Sequence, residues 1–121
     1  MKRLAIILAL AAVPANAYSV RSGYDVNGDA SSFTVEYKPG SAAREYWCAA
    51  GEFVQRALSA PPSTRIYRVS PRPLARGEGM TFSLSPENAV GYSGMAVFPD
   101  SGDLSAAFAE SFCEKTMRPD W

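Results

Sequence analysis

Apolar residues return every second position in two short stretches of the chain and at helical spacing in two longer ones. In residues 32–38, Phe33, Val35 and Tyr37 fall on one side and Thr34, Glu36 and Lys38 on the other, the alternation of a half-buried strand. Upstream, residues 18–32 are polar and turn-rich. Asn27-Gly28 is the pair that best tolerates the positive φ angles of a tight hairpin, so a short first strand is expected before it. Pro39-Gly40 closes the segment, and Ser41 is placed to cap a following helix.

The surest element is that helix, residues 42–58. Ala43, Tyr46, Trp47, Ala50, Phe53, Val54, Ala57 and Leu58 form an apolar stripe opposite Arg44, Glu45, Glu52, Gln55 and Arg56. Cys48 lies at the edge of the stripe, a position suited to contact with a second helix alongside. Pro61-Pro62 stops the helix. Residues 64–70 read as a strand, 71–79 as a loop, and 80–84 as another strand with Met80, Phe82 and Leu84 facing one way. Gly91 and Gly94 make most of 88–98 loop, although Val97 and Phe98 would suit the end of a further strand. Asp100 to Asp103 supply helix-starting residues, and 104–117 reads as a second amphipathic helix with Leu104, Ala107, Phe108 and Phe112 inward. Cys113 sits on its flank as Cys48 sits beside Trp47.

Two helices joined at their flanks, with strands between them in sequence, pack most simply as two layers. The expected fold is α+β: both helices on one face of a three- to four-stranded antiparallel sheet. The ends of the chain bound the rest. Lys2 and Arg3, an apolar run over residues 4–13 and the small-residue triplet Ala15-Asn16-Ala17 have the three-part form of a cleavable signal peptide, with cleavage between Ala17 and Tyr18. The competing reading is a membrane anchor, but a spanning helix needs roughly 20 apolar residues. The expectation is an exported chain, periplasmic or secreted, with a leader over 1–17 and one mature domain over 18–121. The 121 residues less those 17 leave 104, a usual size for one domain.

Export changes the meaning of the two cysteines. In an oxidising compartment Cys48 and Cys113 are expected to form a structural disulfide. They lie 65 positions apart, and a cross-link over such a loop stabilises by roughly 4 kcal/mol in the chain-entropy account. Redox catalysts instead keep both thiols in one local motif. The whole sequence holds 12 basic and 12 acidic residues; losing Lys2 and Arg3 leaves the mature side chains at −2. That excludes the large positive field of a dedicated nucleic-acid binder and leaves no polybasic membrane patch.

Histidine is absent, which removes the commonest general base and zinc ligand together. Gly91-Tyr92-Ser93-Gly94-Met95 imitates a nucleophile elbow, but Met95 stands where the second glycine belongs and no imidazole exists to activate Ser93. A two-carboxylate enzyme needs no histidine, yet the acids are scattered. Asp25, Asn27, Asp29 and Ser31, with Glu36 beyond, space their oxygens like the start of a calcium loop, but Ala30 occupies the position that the sharp turn reserves for glycine. No cofactor or metal is expected. Charge is nevertheless uneven: Arg56, Arg65, Arg68, Arg72 and Arg76 run without an acid among them, and residues 78–114 hold six acids and no base. Arg65, Arg68, Arg72 and Arg76 are therefore the candidate contact for an anionic ligand or an acidic macromolecular partner, unless they pair with the acids of the second half. The reading is a non-enzymatic exported accessory or binding protein. Its alternatives are an inhibitor of a periplasmic hydrolase, presenting a loop at 71–79 or 88–94, and a carboxylate-dependent envelope enzyme.

Overall fold

A computed structural model describes residues 17–71, 77–95 and 97–113. The elements run β1 (Ala17–Ser19), β2 (Asp25–Asp29), β3 (Ser32–Val35), α1 (Ala43–Glu52), β4 (Arg65–Arg68), β5 (Met80–Ser83), β6 (Asp103–Ser105) and α2 (Ala106–Ser111), with a π-helical turn, Phe53–Ala57, continuing α1. The sheet has six strands rather than three or four, in the order β1-β2-β3-β5-β4-β6, and every neighbouring pair is antiparallel. Hairpins link β1 to β2 and β2 to β3. The chain then crosses through α1 to β4, returns through β5 into the gap beside β3, and crosses β4 to place β6 at the far edge.

The alternation seen in the sequence selects the buried face. Phe33 pairs with Phe82 and Val35 with Met80, and both pairs are buried on the side of α1, while Thr34 and Thr81 meet on the other side with their hydroxyls 2.8 Å apart. Trp47 from α1 packs edge-on against Phe82, and Phe53 from the π-helical turn packs with its ring tilted 37° to that of Phe33. Each of these rings contributes on the order of 1.5–3 kcal/mol by leaving water. Cys48 and Cys113 form the disulfide, with Cα atoms 4.9 Å apart. It ties α1 to the residues just after α2.

Several local expectations are corrected. Asn27-Gly28 is not the hairpin turn but part of β2; the turn is Ala30-Ser31, where Asp29 Oδ1 accepts from Ser31 N at 3.0 Å and Ser31 Oγ at 2.7 Å. Gly28 is needed for another reason: its φ is +130°, and a Cβ there would lie 2.2 Å from the Ser32 carbonyl. The strand at 32–38 ends at Val35, and Tyr37 is exposed. Ser41 does not cap α1. Glu45 Oε1 instead accepts from Ala42 N at 2.7 Å, and the Ser41 hydroxyl bonds that of Tyr24.

The expected helix over 104–117 is the largest change. Leu104 lies opposite Ile66 in β6, and the Ser105 hydroxyl accepts from Phe108 N at 3.1 Å, so the helix begins only at Ala106. Its buried residues are Ala106 and Ala109, while Ala107 and Phe108 are exposed. Residues 114–117 of that expectation lie outside the described residues.

Candidate functional site

Arg68 is the residue whose surroundings differ most from the expectation. Arg65 and Tyr67 share one face of β4 and Ile66 and Arg68 the other, because strand parity separates positions three apart. Arg68 is therefore buried, with 2% of its surface exposed. Its Nε donates to the Ser70 carbonyl at 2.8 Å, its Nη1 to the Ser93 carbonyl at 2.9 Å, and its guanidinium lies over the Tyr92 ring. Arg65 is exposed and bonded to Asp103, with Nη2 at 2.8 Å and Nε at 2.9 Å from the same carboxylate oxygen. Arg56 pairs with Glu110 at 3.1 Å. Both partners come from the acidic second half of the chain. Arg72 and Arg76, with residues 73–75 between them, lie outside the described residues.

The buried Arg68 helps to pin a loop. The Ser93 carbonyl also accepts from Trp47 Nε1 at 3.0 Å, and both carboxylate oxygens of Asp100 take the Ser93 N–H, at 2.9 and 3.1 Å. Asp100 Oδ1 reaches the Gly102 N–H as well. The segment that imitated a nucleophile elbow is thus a structural anchor, and the Ser93 side chain is wholly buried, accepting from Met95 N.

Beyond this anchor the loop turns outward. Phe98 is 98% exposed and precedes a cis peptide bond to Pro99. Phe98 and Val97 form one wall of an open groove of about 590 Å³ whose other walls are Leu104 of β6 and Phe108 of α2. Phe108 is itself 47% exposed. The Arg65–Asp103 pair forms the rim. A second apolar hollow of about 350 Å³ lies on the other side of Val97, against Met95, Phe112 and the start of α1.

The groove runs along the sheet's edge. Arg68 N donates to Gly102 O at 3.1 Å and Ala106 N to Thr64 O at 2.8 Å, so the even-numbered residues of this stretch turn their main-chain groups toward β4. Those of Asp103 and Ser105 consequently face the open side, where the Asp103 carbonyl accepts from Arg65 Nη2 at 3.3 Å. The arrangement offers what an interface needs: aromatic surface in a concavity, a polar rim, and strand edge.

No family model, curated protein or solved structure matches this chain. The calcium-loop oxygens are spent elsewhere: Asp25 accepts from the Ser19 hydroxyl, Asn27 bonds Glu36, and Asp29 holds its turn. Those turn donors also hold the Asp29 carboxyl below the usual carboxylate range, the Ser31 hydroxyl first and the Ser31 and Ser32 N–H groups after it. Burial pushes the Tyr24 phenol up, partly offset by its bond to Ser41.

Two features are not legible in the sequence pattern. Glu52 stands among the polar residues opposite the apolar stripe, yet it is fully buried, one turn on from the bridged Cys48 and bonded to Ser22. The groove carried one sequence signal, an apolar Val97-Phe98 pair inside a glycine-bordered loop, which a strand reading absorbs equally well.

Proposed function

We propose that this chain is an exported, non-enzymatic binding protein that receives an extended, uncharged segment of a partner protein along the open edge of β6. The groove between Phe98 and Phe108 carries the reading. Aromatic side chains dominate the energy of protein interfaces, and an apolar concavity beside an edge strand suits a peptide that adds main-chain bonds to apolar contacts, displacing Arg65 from the Asp103 carbonyl as it pairs. The rim argues for the segment's charge. Arg65 and Asp103 already neutralise each other, so an ionic side chain entering there would lose water without gaining a partner. The leader-like residues 1–17 and the Cys48–Cys113 bridge support export, since such bridges persist in oxidising compartments. The lack of histidine supports a binding role over catalysis.

Fluorescence anisotropy with a labelled seven-residue peptide alternating Val and Thr tests the reading. Saturable binding, weakened at least tenfold in Phe98→Ser, is expected; each lost aromatic anchor is worth about 2 kcal/mol or more. Binding that is absent, or equal in the folded Phe98→Ser protein, would count against it.

A further inference from the structure

The disulfide has a buried acidic neighbour. Glu52 is fully buried, and one carboxylate oxygen and the sulfurs of Cys48 and Cys113 all lie within 4.8 Å of one another. Oε1 is held by Ser22, accepting from its hydroxyl at 2.8 Å and its N–H at 3.1 Å. Among the described residues Oε2 has no partner, although it is shut away from water. A buried carboxylate oxygen left without a donor costs free energy, so its retention beside two sulfurs calls for a ligand in some state of the protein.

We propose that the reduced protein binds one zinc-class divalent cation through the thiolates of Cys48 and Cys113 and the carboxylate of Glu52. The donor set fits: sulfur and carboxylate oxygen are zinc ligands, and Ser22 would orient the carboxylate as an outer partner. Zn–S bonds of about 2.3 Å place two tetrahedral thiolates roughly 3.8 Å apart, so opening the bridge needs only a small separation of the side chains. A water molecule supplies the fourth ligand. Reduction consumes two electrons and two protons from a dithiol donor, which becomes a disulfide. The two thiols then lose their protons to solvent as the metal binds. The bridge and the metal are thus alternative closures of the same α1–α2 flank, selected by redox state.

Cobalt titration of the full mature protein tests this. A phosphine reductant takes oxygen from water to become its oxide and leaves two thiols without competing for the metal. One Co²⁺ per chain is expected, with a sulfur-to-cobalt charge-transfer band that zinc abolishes, no band in the oxidised protein, and at least tenfold weaker binding in Glu52→Gln. Zinc should also raise the melting temperature of the reduced protein. A reduced protein that shows no band, one that stays unfolded in excess zinc, or a Glu52→Gln variant that binds as tightly as the parent would overturn the proposal.

Discussion

At the scale of single residues, polar groups decide where the chain turns and which loops hold still. Asp29 is fully exposed, yet the Ser31 and Ser32 donors make its ionised form the one the turn requires. Because its folded value is depressed, its contribution is present above the unfolded carboxylate value and is lost as pH falls through the folded one. Melting curves from neutral to strongly acidic pH should therefore show Asp29→Asn less stable at neutrality, with the two proteins converging in acid. A constant gap across that range would contradict the assignment. Arg68 shows the limit of charge counting. Read along the sequence it is one of five arginines, but strand parity sends it inward, where it joins Trp47 in holding the Ser93 carbonyl.

At the scale of elements, α1 and α2 approach closely because residue 51 is glycine. A Cβ there would stand 2.6 Å from Glu110 N and 2.9 Å from the Ala106 carbonyl, both main-chain atoms of α2 that cannot step aside. Gly51→Ala gains helix propensity but forces the helices apart, and a net loss of about 1–3 kcal/mol is expected from urea midpoints. An unchanged or raised midpoint would show that the flank is slack. α1 was legible in the sequence because ten residues of unbroken period leave little choice. β6 and α2 were not, because three strand residues followed by a six-residue helix carry too few positions to separate a period of 2 from one of 3.6. Leu104 and Phe112 suit either reading; what decides is the pairing of Leu104 with Ile66, a contact between distant parts of the chain. β1 likewise depends on β2 across from it, and three residues specify little by themselves.

At the scale of the whole molecule, a six-stranded antiparallel sheet, two helices and a disulfide carry a loop that is bonded at Ser93 and exposes an aromatic ring at Phe98. The mixed α and β content, the antiparallel sheet and the Cys48–Cys113 bridge could be read from sequence, since amphipathic stripes and a cysteine pair are local signals. The groove could not, because Val97, Leu104 and Phe108 meet only once β6 has paired with β4 at the sheet's edge. Among the described residues no helix is long and apolar enough to cross a membrane, and the proposed contact is with protein. The most direct test places a photo-crosslinking benzoylphenylalanine at position 98, and in a second variant at Tyr37, which is exposed but does not line the groove. After irradiation of cells expressing each variant, the account predicts one protein adduct from position 98, in the exported fraction, and none of the same mass from position 37. Absence of an adduct from 98, or the same adduct from both positions, would contradict it.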